Sequence, residues 1–312
     1  LIWLFENRTK NGYNYGDMTQ PISNLKTIAV LAHPDIPDSL EVAESISAFL
    51  TAEGLETQTV SLYDSNLRQA VQEKAFDLLI ALGGDGSMLR AGHLCAPVDV
   101  PLLGINIGHF GFLAELTREN WREAMPKLLA GNFRYEERMM LTACCISDGK
   151  EKNKFDVIND VVVARGQYVR PIEVEAFLNG AFIISYVADG MIAATPTGST
   201  AYALAAGGPI LPPEIRNILL MPVAPHLSVD RAVVLAEGAS VMIRVHTKHE
   251  AVVSVDGQEP VHLASGDGVR ICAHEKSLFM VRFEDPGYFY RNLTAYMGRN
   301  PLSSMENNDK SK

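Results

Sequence analysis

The stretch "FDLLIALGGDGSMLRA", residues 76–91, decides the fold of the first half of the chain. An apolar run typical of a buried strand ends in three glycines, and a helical pattern follows. Glycines at such a strand end let a backbone approach a phosphate, yet Asp85 among them would repel one. We therefore expect Asp85 to accept a proton from an attacking hydroxyl or to act through Mg²⁺. The alternative is a tight turn in which Asp85 only caps the helix.

Two common phosphate-binding fingerprints do not fit this loop. A dinucleotide fingerprint G-x-G-x-x-G needs glycine at position 89, which is Leu89 here, and no G-K-[ST] follows as in a P-loop. The loop instead predicts a ligand site at the carboxyl edge of a parallel sheet, where α/β proteins bind their ligands.

Strands and helices alternate around the loop and predict an α/β domain over residues 25–135, a parallel sheet with helices. Residues 39–53 carry a helical apolar face, and Ser39 is the expected N-cap. From residue 136 to 287 hairpin-like patterns prevail, with Asn179-Gly180 as a strong turn signal, so a β-rich domain is predicted there.

The two ends of the chain are expected to differ from these domains. Residues 1–24 are predicted to form a flexible arm and residues 301–312 a disordered tail. Residues 288–300 are predicted to form a short segment, helical in pattern, between the β-rich domain and the tail.

Composition excludes several classes of protein. The chain has 312 residues, a net charge of −10 and a pI of about 5.3, which argues against nucleic-acid binding by bulk charge. No apolar run reaches the ~18 residues that would span a membrane. The four cysteines show no metal-binding or disulfide spacing, and we expect them to be reduced in a cytoplasmic protein.

Three further motifs carry polar groups that a nucleotide could use. The glycine-rich "GINIGHFGF", residues 104–112, follows another strand. In "IND", residues 158–160, the Asn could read an adenine edge and the Asp could hold ribose hydroxyls, or the pair could form a bulge or turn. The block "ADGMIAATPTGSTAYALAAGGPIL", residues 188–211, predicts a polar, backbone-lined pocket, in which Tyr202 could stack on a base.

These motifs, in this order, resemble the NAD kinases, and the resemblance runs from about Thr27 to Arg291. It implies an α/β domain and a β-rich NAD-binding domain, with the chain end returning to the first. It also implies phosphorylation of the 2′-hydroxyl of the adenosine ribose of NAD, giving NADP, with Asp85 as general base. ATP or polyphosphate would be the donor, and Mg²⁺ or another divalent cation would accompany ATP.

The resemblance also assigns a role to each motif position. Asn159 would contact the adenine side and Asp160 the ribose side, while Asp189 and Ala201 would lie at the nicotinamide end. The full set of expected NAD-binding residues is Gly84, Asp85, Gly86, Phe112, Asn159, Asp160, Asp189, Thr200, Ala201, Tyr202 and Asp256.

Two positions depart from the usual family pattern. Many members have Glu at the position of Asp160 and Ser at the position of Ala205, so one ribose contact and one adenine contact are in question. A homodimer or homotetramer is implied by the resemblance alone. The alternatives are a lipid kinase, which shares the G-G-D-G loop, and a non-catalytic NAD or NADP sensor.

Overall fold

The computed structural model describes residues 25–108, 111–226 and 231–298, with side chains described as far as residue 293. The predicted N-terminal arm (residues 1–24) and C-terminal tail (residues 301–312) lie outside the described residues. No helix in the three described ranges is long and apolar enough to cross a bilayer.

The first half of the chain forms the α/β unit that its alternating pattern predicted. Strands β1 to β4 pair in parallel in the order β2-β1-β3-β4. The elements are β1 (Thr27–Ala32), α1 (Ser39–Ala52), β2 (Glu56–Ser61), α2 (Leu67–Gln72), β3 (Leu78–Gly83), α3 (Asp85–Cys95), β4 (Leu102–Asn106), β5 (Leu116–Thr117) and α4 (Trp121–Leu129).

Helices cover both faces of this parallel sheet because successive side chains of a strand point to opposite faces. On β1, Ile28 and Val30 belong to the apolar cluster that includes α1 and α4. Ala29 and Leu31 belong to the cluster that includes α2 and α3. The strand is therefore buried on both sides, which explains why its sequence is continuously apolar.

The second half of the chain is rich in strands. Its elements are β6 (Arg134–Ser147), β7 (Lys150–Val157), β8 (Asp160–Arg165), β9 (Ile172–Leu178), β10 (Ala181–Ala188), β11 (Gly190–Ala194), α5 (Tyr202–Ala205), β12 (Asn217–Val223), β13 (Val233–Ala236), β14 (Val241–His246), β15 (Ala251–Val255), β16 (Val261–Leu263), β17 (Gly268–Arg282) and α6 (Gly287–Gly298).

Within the described residues the strands form two sheets. The first has the order β10-β9-β14-β17-β4-β3-β1-β2, with β5 beside β4, β6 beside β17 and β7 beside β6. The second has the order β13-β12-β11-β8-β15-β16. Since β17 pairs in parallel with β4 at Met280 and Leu102, the first sheet continues through both halves. The predicted fold class, an α/β unit followed by a β-rich unit, is confirmed.

Local turn chemistry agrees with the sequence in one place and differs in another. Asn179 and Gly180 both have positive φ, 50° and 83°, which is the geometry of the predicted hairpin turn. Helix α1, however, begins at Ser39 itself, with Asp38 as the N-cap. The Ser39 hydroxyl instead accepts a hydrogen bond from the His33 amide at 2.9 Å, because it points back to the loop after β1.

Candidate active site

The loop between β3 and α3 contains glycines of two kinds. Gly83 has φ of +148°, and a Cβ there would lie 2.1 Å from the Ser87 hydroxyl oxygen, so the fold itself requires glycine. At Gly84 and Gly86 a Cβ would meet nothing within 4 Å among the described residues. Neither of these two positions has a positive φ. Glycine at 84 and 86 therefore leaves open space next to the helix N-terminus, where backbone amides can face an anion.

Asp85 is fixed by the loop that follows β4. Its two carboxylate oxygens accept hydrogen bonds from the amides of Phe112, at 2.9 Å, and Leu113, at 3.0 Å. The approach is so close that a Cβ on Gly111 would lie 2.1 Å from Asp85 Oδ1. Since a carboxylate offers about four lone-pair sites, each oxygen can still accept one more donor. Asp85 is thus a preoriented carboxylate with remaining capacity to accept a proton.

Asn159 and Asp160 lie where β7 passes into β8. The amides of Ile158, Asn159 and Asp160 donate to the carboxylate of Asp256, at 2.8, 2.7 and 3.0 Å. The Asn159 carbonyl accepts a hydrogen bond from the Thr195 amide at 2.9 Å. Because backbone bonds on both sides hold this strand end, the partly exposed side chain of Asn159 is positioned without using its own donors and acceptor.

Asp160 is the most strongly perturbed acid near this strand end. It is buried, and that burial, together with the charge of Asp256, raises its pKa to about 7, although a hydrogen bond from the Tyr202 amide opposes the shift. A carboxyl group that titrates near neutral pH is typical of a functional site. The same hydrogen bond brings the first residue of α5 to Asp160.

The hydroxyl-rich block before α5 mostly stabilises its own turn. Thr195 donates to the Ile158 carbonyl at 2.6 Å and accepts from the Gly198 amide at 3.0 Å. The Thr200 hydroxyl donates to the Thr197 carbonyl at 2.9 Å. These hydroxyls therefore stabilise the turn and its contact with the Ile158 carbonyl, whereas the sequence interpretation placed the hydroxyls of this block in a polar pocket.

The residues that the turn presents toward the surface are Thr200, Ala201 and Tyr202, and Tyr202 is 46% exposed. They adjoin Asp160 through the Tyr202 amide. The structure thus groups these three with Asn159 and Asp160, and it groups Gly84, Asp85, Gly86 and Phe112 at the edge of the parallel sheet.

Asp189 lies apart from Asp160 along strand β8. The register pairs Ala194 with Asp160 but Gly190 with Ala164, at the other end of the strand. Five residues of strand correspond to about 16 Å. There the carboxylate of Asp189 pairs with Arg165 Nε at 2.8 Å and is 38% exposed. Its predicted role at the opposite, nicotinamide end of the ligand remains a prediction.

A buried charge cluster lies behind the site and was not predicted from the sequence. Glu136 accepts hydrogen bonds from Arg138, at 2.7 Å, and Arg282, at 3.0 Å. Burial alone would raise the pKa of Glu136, but the charges of Arg138, Arg282 and Arg134 hold it well below the usual value. The available signal was a group of charged residues at the start of a strand that continues as an apolar run, as in "RYEERMML", residues 134–141.

This charge cluster links the two groups of site residues. Arg282 donates to the Leu113 carbonyl at 2.9 Å, and the Leu113 amide in turn contacts Asp85. Arg138 donates to the Thr197 hydroxyl at 3.2 Å. The loop that holds Asp85 and the turn before α5 are therefore anchored to the same buried carboxylate.

A cavity of about 700 Å³ opens beside Gly86, between α3, residues 62–68 and the β-rich half. Cationic side chains contribute to its wall, and the guanidinium of Arg90 lies 4.1 Å from the centre of the Tyr63 ring. Its lining includes Tyr63, Asp64, Arg68, Gly86, Arg90, His93, Lys154, Phe155, Asp156, Asp256 and Gln258. Of these, only Gly86 and Asp256 were predicted as site residues.

The chain joins an α/β unit, whose parallel strand ends carry Asp85, to a β-rich unit that carries Asn159 and Asp160. Two solved structures share this fold. Yeast NADH kinase complexed with NADH aligns with a TM-score of 0.79 over 88% of each chain, at 23% identity. The NAD kinase from Archaeoglobus fulgidus in complex with ATP aligns with a TM-score of 0.70, over 88% of this chain and 100% of that one, also at 23% identity.

Sequence comparison identifies the family. The model of the ATP-NAD kinase N-terminal domain matches residues 43–133, and that of the C-terminal domain matches residues 158–283. The NAD kinase of Heliobacterium modesticaldum is 37% identical over 274 residues, which cover 85% of this chain and 96% of that protein. The NAD kinase of Natranaerobius thermophilus is 38% identical over 72% of this chain and 79% of its own length.

The chain belongs to the NAD kinase family. The family, the fold class and the NAD kinase activity predicted from the sequence are confirmed.

Proposed function

We propose that Asp85 is the general base of this NAD kinase and takes the proton of the 2′-hydroxyl on the adenosine ribose of NAD. As that oxygen bonds to the terminal phosphorus of ATP, the bridging P–O bond breaks, and NADP and ADP form. The observation that carries this proposal is the pair of amide hydrogen bonds that fix the Asp85 carboxylate, in a loop where a Cβ on either neighbouring glycine would meet nothing within 4 Å among the described residues. A positioned base contributes about 10²–10⁴-fold to such a reaction.

The acceptor would bind along the Asn159–Tyr202 side of the site. The side-chain amide of Asn159 offers both a donor and an acceptor to the adenine edge. Asp160 would accept a hydrogen bond from a ribose hydroxyl. Thr200, Tyr202 and Phe112 would complete the contacts to the adenosine. Asp189 and Ala201 would contact the nicotinamide end.

The donor would occupy the cavity beside Gly86. Arg68, Arg90 and Lys154 supply positive charge in its wall, and 700 Å³ is a volume in the range that small-molecule ligands occupy. Inorganic polyphosphate could use the same cations.

Mg²⁺ would accompany the donor phosphates. In the described part of the chain, no group of three or more His, Cys, Asp or Glu side chains is arranged to hold a metal ion. Asp64 and Asp156, two of the carboxylates in the cavity wall, could contact an ion that is otherwise held by the donor phosphates and water. When bound, Mg²⁺ would neutralise the charge that develops on the phosphates.

The test is NADP formation from NAD with Mg²⁺ and either ATP or polyphosphate, for the wild type and for Asp85→Asn. We expect the variant to bind NAD but to lose turnover by about 10²-fold or more. Asp99→Asn is a matched control, because Asp99 is an exposed residue with φ of 60°, which Asn tolerates. Wild-type turnover in Asp85→Asn would disprove the base role.

We further propose that the chain forms a homo-oligomer through the outer strands of its β-rich half. Phe182 and Val187 on the edge strand β10 are 57% and 48% exposed, and Val233 and Val234 on the edge strand β13 are 44% and 46% exposed. The His226 amide donates to the Val187 carbonyl, so the segment after β12 lies against β10. Exposed apolar edges of this kind favour pairing with a second copy.

Light scattering of the wild type and of Phe182→Ser would test this assembly, and a monomeric wild type would disprove it. We also propose a cytoplasmic location, because the spacing of the four cysteines in the sequence is not that of a disulfide framework.

A further inference from the structure

His93 connects helix α3 to the strand end that carries Asn159 and Asp160. Its Nε2 lies 2.7 Å from Asp256 Oδ2, and because a carboxylate only accepts, His93 is the donor. His93 lies eight positions after Asp85 on the same helix. Asp256 lies in the turn between β15 and β16, far away in sequence. The hydrogen bond therefore joins the two halves of the chain.

The carboxylate of Asp256 organises the backbone of this strand end. Its side chain is fully buried and accepts hydrogen bonds from His93 and from three consecutive backbone amides, those of Ile158, Asn159 and Asp160. Asp256 has φ of 51° and Gly257 has φ of 68°, which is a tight hairpin turn that aims the carboxylate inward. Four donors satisfy a buried anion that would otherwise be costly.

Helix α3 also meets this strand end by packing. A Cβ on Gly92 would lie 2.8 Å from Ile158 Cδ1, so the absence of a side chain there lets Ile158 approach the helix. Gly92 immediately precedes His93 in the sequence. Packing and hydrogen bonding thus fix the same segment, residues 158–160, against α3.

We propose that His93 and Asp256 are positioning residues for NAD: the ring of His93 holds the Asp256 carboxylate, which holds the backbone that presents Asn159 and Asp160. This inference rests on the proposed role of Asn159 and Asp160 as NAD contacts. His93 also contributes to the wall of the cavity assigned to ATP. The competing role is a direct contact between His93 and ATP, which would change the KM for ATP more than the KM for NAD.

The variants His93→Gln and His93→Asn distinguish these roles. The amide nitrogen of Gln reaches the position of Nε2 and can still donate to Asp256, whereas the amide of Asn falls short. We expect His93→Asn to raise the KM for NAD about 10-fold, because a hydrogen bond to a charged group is lost, and to leave the KM for ATP within about 2-fold. His93→Gln should restore the KM for NAD to within about 3-fold of wild type. His262→Asn, an exposed histidine on β16, is the control.

Calorimetric titration with NAD alone separates this inference from the kinase proposal, since it requires no turnover. The dissociation constant for NAD should follow the same order as the KM. Amide hydrogen exchange over residues 155–165 should be faster in His93→Asn than in His93→Gln, and this holds whether or not catalysis is lost. Equal NAD affinity in both variants, or a larger change in the KM for ATP than for NAD, would overturn the proposal.

Discussion

A Cβ atom on Gly198 would lie 2.0 Å from the carbonyl oxygen of Asn159. The turn before α5 therefore packs backbone on backbone against the strand end that carries the candidate acceptor residues. A backbone atom cannot move aside as a flexible side chain can, so the contact fixes the distance between Asn159 and the Thr200–Tyr202 segment. The conformation of Gly198 itself is ordinary, and the close approach alone requires glycine there.

We predict that Gly198→Ala displaces Asn159 and costs about 1–3 kcal/mol of stability, as overpacking does. The KM for NAD should rise about 10-fold or more, because both sides of the acceptor site move. Urea unfolding and steady-state kinetics would measure the two effects. Gly238→Ala is the control, since a Cβ there meets nothing within 4 Å among the described residues. Unchanged NAD affinity in Gly198→Ala would argue that Asn159 is not a ligand contact.

Gly86 gives a prediction in which stability and activity change in opposite directions. It lies in the first turn of α3, where a Cβ would meet nothing within 4 Å among the described residues, and Ala is favoured over Gly in helices by up to about 1 kcal/mol. Gly86→Ala should therefore fold at least as stably as wild type. If the glycine leaves room for a ligand, turnover should nevertheless fall about 10-fold or more. A variant with full turnover would show that this space is not used.

The buried cluster around Glu136 supports a prediction about stability. Replacing Glu136 by Gln removes the anion between Arg138 and Arg282, and breaking a buried pair in this way costs about 3–5 kcal/mol. Glu137→Gln is a matched control on the same strand, because that side chain is 42% exposed and surface ion pairs contribute about 0–1 kcal/mol. Denaturant midpoints of the two variants would test this. A similar loss in both would contradict the assignment of the cluster as a buried anchor.

The sequence predicted most of the architecture and the positions of the candidate base, because those features depend on local pattern. The buried run before Gly83, the hairpin at Asn179-Gly180 and the glycines around Asp85 are each legible within a few residues. Gly84 and Gly86 in particular were expected to leave room for a ligand, and among the described residues a Cβ at either position would meet nothing within 4 Å.

What the sequence did not predict depends on contacts between distant residues. Asp256 lies about a hundred positions from the three backbone amides that donate hydrogen bonds to it. Arg282 lies 169 positions from Leu113, whose carbonyl accepts its hydrogen bond. The hydroxyls of Thr195 and Thr200 were expected to line a pocket, but their partners are carbonyls of the same turn and of Ile158. Composition indicates that such a block is polar, whereas only the fold decides which groups form hydrogen bonds with its hydroxyls.

Asp160 makes the stability of the protein depend on pH. Its pKa rises from 3.8 in the reference state to about 7 in the folded protein, because it is buried and faces Asp256. Between these two pH values the folded state binds more protons than the unfolded state. The contribution of Asp160 to the free energy of unfolding therefore falls as pH rises from about 4 to about 7, by at most about 1.4 kcal/mol per pH unit, and is constant above that range.

We predict that Asp160→Asn removes this contribution while keeping an oxygen for the Tyr202 amide. Relative to wild type, the variant should gain stability between pH 5 and pH 8, because only the wild type must ionise a buried carboxyl group over that range. Urea midpoints at the two pH values measure the difference. Asp148→Asn, at an exposed position with φ of 51°, should follow the wild type at both. A constant difference between Asp160→Asn and wild type across this range would mean that Asp160 is already ionised at pH 5, and would remove the electrostatic argument for its place in the site.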